Sequence, residues 1–429
     1  MKGDRHRPPP GIRRRAWPDA NFRRLWVGSS ASWFGAEIGE LALPLLALIT
    51  LSATPGELGL LRVLQFLPFL LFTLPFGVVV DRCRKRPLMI GADLGRFVLV
   101  AAIPVGIWLG AGRIELVYAI VFAASVLTVL YQLCDFAFLP HVVESGVLLD
   151  ANSKLTATQS AAEIGGKGLG GLLVQAFTAP FAVLVNATGY LASAIAIARI
   201  DATEPPRRAP ARPAWRDVAD GIRVAARDKY LRPLVAESTT FNFFFELFLV
   251  GLMAYAVRDL AMSPALIGLA FTIGACGTFL GAWFGARATG RYGYGRVLLV
   301  TILVGNSASV LLILFTDRST AMAVLSPVFF LMGLGTGVAN VHATSLRQTV
   351  VPNALQGRVN AAYRMVSWGA VPLGAGLGGT IAAQTGSHAA MLVGALGIPT
   401  GTIWIAMSAI PRLRTIEDAA ITPTSGEPA

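Results

Sequence analysis

Charge is what this sequence has least of. Asp, Glu, Lys and Arg make up 14% of its 429 residues, against roughly a quarter of a soluble globular chain. With 54% hydrophobic residues, it cannot cover a water-facing surface, which excludes an ordinary soluble domain. Cysteine is scarce as well. Cys83, Cys134 and Cys276 stand far apart without CxxC spacing, so they read as packing residues, and neither a disulfide framework nor a metal site is expected. His6, His141, His342 and His388 are scattered. No Ser/His/Asp constellation forms around them, and an enzyme is not expected. No GxxxxGK[ST] loop occurs, and no polar stretch is long enough for a nucleotide-hydrolysing domain, so ATP bound by this chain is excluded as an energy source. The N-terminus is basic and polar through Arg24, and the apolar stretch behind it is too long for the core of a cleavable signal peptide, so none is expected.

What is abundant is apolar sequence in stretches of about 20 residues, the length a helix needs to cross a bilayer core. Short basic runs such as Arg13–Arg15, Arg82–Arg86 and Arg207–Arg212 separate them. The pattern predicts an all-α integral membrane protein with twelve spans: 25–50, 57–80, 87–110, 114–139, 155–178, 180–199, 232–257, 264–288, 295–316, 320–343, 356–384 and 387–410. With the N-terminus placed inside, the inner segments collect nearly all the basic residues, and the outer loops hold only Arg113, Arg258 and Arg318. By the positive-inside rule both termini are cytoplasmic, in a multi-pass protein of the cell's inner (plasma) membrane. The net charge of +12 is then a topology signal, and no nucleic-acid partner is expected.

The spans divide six and six. A basic tail (1–24) leads into a first bundle (25–199), a cytoplasmic linker (200–231), a second bundle (232–410) and a tail (411–429), the layout of two structural repeats. The linker opens Pro-rich at Glu204–Pro210 and continues from Trp215 to Val224 with the alternation of an amphipathic surface helix.

Between the second and third spans stands Gly77-Val-Val-Val-Asp81-Arg82-Cys-Arg-Lys-Arg86-Pro87. This resembles the signature loop of the major facilitator superfamily, G-x-x-x-D-R-x-x-R-[RK], in its expected place. The resemblance implies that fold and a cytoplasmic gate. Gly77 would allow close helix approach, Asp81 would face the start of span eleven near Gly357 and Arg358, and Arg82 or Arg86 would reach Asp135 at the end of span four. The corresponding second-half loop, Gly281 to Arg296, has Gly285 where the aspartate would stand, so the latch is one-sided. Asn21–Trp26, Leu139-Pro140, Asn152–Leu155, Arg347-Gln348 and Gly357–Asn360 look like the siderophore- and macrolide-exporter branch of that superfamily. Antiporters of the superfamily carry a GPxxGG-type motif in span five. Gly166-Lys167-Gly168-Leu169-Gly170-Gly171 matches its glycines but has Lys167 where the proline would be. Gly374 and Gly378 offer a matching close-packing surface in span eleven.

Ionisable residues at bilayer depth line cavities or pair with one another. Glu37, Glu40, Glu246 and Arg364 are cavity candidates, the first three having no opposite charge within a helical turn. Asp93 and Arg96 (i,i+3) and Glu163 and Lys167 (i,i+4) are spaced to pair. Two readings of Lys167 stay open: a structural bridge to Glu163 or to a span-one carboxylate, or a cavity cation that attracts an anionic substrate or alternates partners during the cycle. Glu237 lies near the cytoplasmic end, where it would be hydrated, and Arg62 lies near the outer end of span two, where it would snorkel. Phe241, Phe243, Phe244 and Phe245 are candidate cavity walls, though four such residues cannot share one helix face.

The expected function is secondary active export of a small amphipathic molecule, drug-, macrolide- or siderophore-like. It would work by alternating access as a monomer, without a cofactor and with the proton gradient as energy source. Alternatives are a uniporter or uptake permease, and a receptor or lipid scramblase on the same fold.

Overall fold

Helix α1 (Ala20–Leu45) starts where the Asp19 carboxylate accepts the otherwise unpaired N–H groups of Asn21 and Phe22 at 2.7 and 3.2 Å. α2 (Pro55–Arg82) starts with a proline in its first turn and a reciprocal cap between Thr54 and Glu57. The computed structural model describes residues 16–143, 147–201, 214–352 and 355–419. The chain continues through α3 (Lys85–Trp108), α4 (Ile114–Val142), α5 (Leu148–Ala176), α6 (Ala179–Ala198), α7 (Ala214–Arg227) and α8 (Leu231–Ala254). It ends with α9 (Pro264–Tyr292), α10 (Tyr294–Ala308), α11 (Ala321–Val350), α12 (Gln356–Thr385), α13 (Ser387–Gly397) and α14 (Gly401–Ala406). Among the described residues there is no strand.

Eleven of these segments are long and apolar enough to span a bilayer, α13 and α14 forming one of them. α5 is the twelfth. It has the length of α4, 29 residues, but misses the hydropathy of its neighbours because Asp150, Lys154, Glu163 and Lys167 interrupt it. Among the described residues the protein is thus all-α, a multi-pass membrane protein with twelve membrane-spanning segments. Only Phe177 and Thr178 separate α5 from α6, the tight hairpin the sequence predicts. Ala16 and Ala419 lie at the same end of the bundle, the terminal face; the opposite end is the far face.

The two sets of six spans share a local device that no sequence motif announces. α1 ends in a π-helical turn, Leu46–Thr50, and α8 ends in one at Tyr255–Asp259. Each is followed by a non-glycine residue in the left-handed region, Ser52 (φ 55°) and Ala261 (φ 46°). The closing bonds match as well: Leu51 N to Leu46 O with Ala53 N to Ala47 O, and Leu260 N to Tyr255 O with Met262 N to Ala256 O. Thr54 and Ser263 then precede the next helix, each followed by a first-turn proline. Every partner lies 209 positions after its counterpart (Ser52 to Ala261, Pro55 to Pro264). A left-handed non-glycine residue costs about 1 kcal/mol or more, so its recurrence marks a repeated architecture. The same offset places Gly290 opposite Asp81, which moves the counterpart of the signature aspartate from Gly285 to Gly290 and leaves the position a glycine.

Packing between the two sets is uneven along the bundle axis. At the far face one apolar core runs through both, joining Leu58 and Leu61 to Val250, Leu252 and Ala375. There α2 meets α12 and α5 meets α9 through glycine. A Cβ built on Gly59 would stand 2.7 Å from Gly379 Cα and 2.8 Å from Ala375 O, and one on Gly171 would collide with Pro264 O. Arg258 also donates across to Ser52 O at 2.8 Å. Toward the terminal face the core splits, one cluster around Phe138 and Ile197 and another around Leu298 and Ile405. The bundle is therefore sealed at the far face and parted at the terminal face. Gly166 and Gly170 seat α5 against Glu37 and Ile38 of α1, and Gly374 and Gly378 seat α12 against Phe243 and Leu247 of α8.

α7, the amphipathic segment of the linker, does not lie free on a surface. Its Ala225 is buried with Leu231, Val351 and Val359, and Gly221 leaves no room for a Cβ beside the carbonyl of Arg358 at the start of α12. The Pro-rich stretch before it, 202–213, lies outside the described residues, as do the first 15 residues and those after Ala419.

Candidate functional site

Four helices carry ionisable side chains into the space beneath the far-face seal: α1 with Glu37 and Glu40, α2 with Arg62, α5 with Glu163 and Lys167, and α8 with Glu246. Of these, Glu40, Arg62, Lys167 and Glu246 line a cavity of about 250 Å³. Arg62 is its centre. Its Nε and Nη2 donate to the two carboxylate oxygens of Glu246 at 2.5 and 3.2 Å, a bidentate pair between α2 and α8. Its Nη1 donates to Glu40 Oε1 at 2.6 Å and to Gln65 Oε1 at 3.2 Å, while Gln65 Nε2 donates to Glu40 Oε2 at 2.8 Å. The side chains of Arg62 and Glu246 are each 5% exposed. A buried pair of this kind persists only when its geometry is good and its remaining donors and acceptors are used, and the planar guanidinium fork meets both demands.

Arg62 therefore does not snorkel. It sits close enough to the far face to reach the surface, yet the face of α2 it occupies is turned toward α1 and α8, where two carboxylates compete for it. Glu40 and Glu246, which have no opposite charge within a turn of their own helices, find Arg62 on another helix, as Glu37 finds Lys167.

Lys167 pairs with Glu37 of α1, Nζ to Oε2 at 3.2 Å, which is the span-one alternative among its possible partners. Glu163, one turn earlier on α5, makes no ion pair with it but stays in the electrostatic field of Glu37 and Lys167. The cluster thus holds four carboxylates (Glu37, Glu40, Glu163, Glu246) and two cations (Arg62, Lys167). If all are ionised, two negative charges are uncompensated.

The remaining walls are apolar, with four aromatic rings among aliphatic side chains such as Leu41, Leu58, Leu249 and Met253. Arg62 lies 4.8 Å from the Phe66 ring and Lys167 5.9 Å from that of Phe271; Phe245 and Trp368 are the other two aromatic residues. The phenylalanine run of α8 divides as helical geometry demands. Phe245 lines the cavity, with Phe241 stacked on it at 5.4 Å. Phe243 and Phe244 instead serve packing, the backbone of the first against Gly374 and the ring of the second against Gly397.

A second chamber of about 350 Å³ shares Asn242 and Trp368 with the first and continues toward the terminal face. Glu237, Asn306, Arg347, Tyr363 and Arg364 line it. Arg347 stacks on Tyr363 at 3.8 Å, and Arg364 lies 5.7 Å from the Trp368 ring. Glu237 is 9% exposed, and Asn306, whose Nδ2 donates to Thr402 Oγ1 at 3.2 Å, lines the same chamber. The Glu237 side chain is enclosed by residues of α10, α11 and α12 and faces this chamber.

The signature-loop contacts fall differently from the resemblance. Arg86 donates to Ile197 O at 3.3 Å and Ala198 O at 2.6 Å, at the end of α6. Arg82 is exposed. Asp135 lies in the field of Asp93 and Arg96 rather than of the loop arginines. A Cβ at Gly77 or at Gly357 would meet nothing within 4 Å, so neither glycine marks a close approach while the terminal face is parted. The Asp81 side chain lies outside the described residues, and its pairing toward Arg358 with it. Within the first bundle, Asp93 and Arg96 form the buried i,i+3 pair their spacing predicts, and the guanidinium lies between the rings of Tyr131 and Tyr190 at 4.2 and 4.3 Å.

Comparison with known proteins covers nearly the whole chain. Residues 17–428 match the model of the transmembrane secretion effector family. The multidrug efflux pump Tap of Mycolicibacterium fortuitum is 26% identical over 371 residues, 82% of this chain and 87% of that protein. The MFS-type transporter YfiS of Bacillus subtilis (strain 168) is 23% identical, over 88% and 91% of the two chains. Among solved structures, the nucleoside transporter NupG superposes with a TM-score of 0.70 at 12% identity, covering 90% of this chain and 99% of that one. A bacterial homologue of the iron transporter ferroportin in its inward-facing state gives 0.67 at 16% identity, covering 90% and 98%.

Proposed function

Because the chain belongs to the transmembrane secretion effector family of major facilitator transporters, we propose that it exports a small amphipathic molecule across the cytoplasmic membrane by alternating access, driven by proton entry. The bundles 25–199 and 232–410 are the two moving bodies, both termini face the cytoplasm, and the parted terminal face is then the side from which substrate enters. The protein acts as a monomer, without a cofactor.

The observation that carries this reading is the ion cluster beneath the far-face seal, where Arg62 holds Glu40 of the first bundle and Glu246 of the second. Separating the bundles on the far side must lengthen or exchange the Arg62–Glu246 pair. A proton delivered to Glu246 removes the charge that binds Arg62 across the interface, and Glu40 with Gln65 keeps the arginine partnered within its own bundle. With all four carboxylates ionised, the cluster gives the cavity a negative field, and four aromatic rings stand in its apolar lining, a setting suited to a lipophilic cation or to the cationic end of a larger amphipath. The kinship with a multidrug efflux pump agrees with such a cavity.

The test uses inside-out vesicles with an acidic interior and a pH-quenched dye, to which lipophilic cations, macrolides and siderophores are added in turn. Dequenching by one compound, absent in Glu40→Gln and Glu246→Gln, is the expected result. Movement of a compound without protons would replace antiport by uniport.

A further inference from the structure

We propose that the cleft beneath the α9–α10 turn is a binding site for the headgroup of an anionic phospholipid. This site is separate from the transport cavity and does not rest on the transport reading. The cleft measures about 890 Å³ and is walled by the end of α9, the start of α10, one face of α11 and the segment that follows α14. Four arginines line it: Arg291 and Arg296 from the turn, and Arg412 and Arg414 from the C-terminal segment. All four are exposed. Among the described residues, none of them makes an ion pair within 4 Å. The acidic groups nearby are Glu417, which lines the cleft, and Asp418, whose carboxylate accepts the backbone N–H groups of Arg414 and Thr415 at 3.0 Å.

A basic segment serving only as a topology signal needs no fixed shape, whereas this one is held. Gly293, at φ +91°, makes the turn that a side chain would strain. Tyr294 N and Gly295 N then donate to Arg414 O and Leu413 O at 2.9 Å each, and Gly295 leaves no space for a Cβ against the carbonyl of Ile410. The arginines are thereby presented from two backbone segments pinned to each other. The first bundle has an aspartate in its corresponding loop; here the equivalent position is Gly290, so the turn itself supplies no carboxylate to neutralise them.

A second observation places hydrocarbon beside the charge. Phe279, Trp283 and Phe284 are 46%, 56% and 56% exposed on α9, two to three turns from the cleft toward the far face, where α9 runs into the membrane. Arg287 lies over the last two rings at 5.4 and 5.9 Å. An acyl chain can lie along these rings while its phosphate sits among the arginines, which is how basic pockets at a membrane boundary hold anionic lipid. Inorganic phosphate offers the same charge without the chain, and this difference separates the two sources.

The experiment titrates the full-length protein in detergent with cardiolipin, phosphatidylglycerol, phosphatidylcholine or inorganic phosphate, following unfolding by tryptophan fluorescence. Cardiolipin is expected to raise the unfolding temperature, phosphatidylglycerol less so, and phosphatidylcholine and phosphate not at all. One basic residue near an anionic surface is worth roughly a factor of five in affinity, so Arg412→Gln with Arg414→Gln should move the cardiolipin midpoint about 30-fold. The corresponding lysine pair should move it much less. Equal stabilisation by phosphate would make the cleft an ion site, and an unmoved midpoint in the glutamine variant would overturn the proposal. Should that variant fail to fold, a photoreactive cardiolipin on the unmodified protein decides: crosslinks within 279–296 and 410–416 support the site, and crosslinks confined elsewhere refute it.

Discussion

Replacing Gly59 by alanine should shift the protein away from its far-closed conformation. The added methyl would stand 2.7 Å from Gly379 Cα and 2.8 Å from Ala375 O. Both are backbone atoms, so no side chain can swing aside and α2 must move off α12. Overpacking of this kind costs about 1–3 kcal/mol. The cost falls only on states in which the seam is closed, so the ratio of far-open to far-closed protein should rise by a factor of roughly 5–150. Spin labels at Ala111 and Arg318, exposed positions in far-face loops of the two bundles, would report this as a new, longer component in the distance distribution. Gly77→Ala is the control, since its methyl enters open space and should leave the distribution unchanged or favour the far-closed form. If Gly59→Ala folds with normal stability and gives the parent distribution, the seam is not what holds the far face shut.

Three further outcomes are expected. Arg62→Gln should lower the unfolding temperature markedly, because it leaves Glu40 and Glu246 without their shared cation and breaking a buried ion pair costs about 3–5 kcal/mol; Glu246→Gln, which leaves Arg62 paired with Glu40, should cost less, and the two changes together less than their sum in a double-mutant cycle. Arg96→Leu should destabilise the first bundle by a similar amount by leaving Asp93 buried without its partner, read as a fall in melting temperature that Asp93→Asn partly restores. The Asp418 carboxyl is held below the usual carboxylate range by the N–H groups of Thr415 and Arg414. Its contribution to docking of the C-terminal segment is therefore complete above the ordinary aspartate range and lost as pH falls through the lowered value. At neutral pH, Asp418→Asn should accordingly speed trypsin cleavage after Arg412 and Arg414.

Architecture was legible in the sequence because crossing a bilayer leaves a signal in every residue of a span. Even α5, too polar for a composition test over its whole length, shows as an apolar stretch at 155–178, where Leu169, Leu172, Leu173 and Val174 outweigh its two charges. The ion cluster was legible only in part. Glu37, Glu40, Lys167 and Glu246 announce themselves as charges in apolar runs, but their partners come from other helices, and one sequence carries no angle between helices. Arg62 shows the limit most clearly. Its distance along α2 permits either a surface or a buried position, and which face of α2 it occupies decides between them. The chamber around Glu237, Arg347 and Tyr363 was hidden for a different reason, since these residues lie near span ends where hydration is the simpler expectation. The paired π-turns were beyond reach because they reside in backbone conformation, shared by segments alike in little more than Leu51 and Leu260, Pro55 and Pro264, and Gly59 and Gly268.

The glycine seams also bear on speed. Where large side chains interdigitate, two helices part only after rotamers turn over, and each such event adds a barrier. Gly59 against Gly379, and Gly171 against Gly268 and Pro264, bring backbone to backbone with no knobs to withdraw. Such a joint can part without any side chain changing rotamer. A turnover limited elsewhere, at the exchange of partners around Arg62, is the natural counterpart of so smooth a closure.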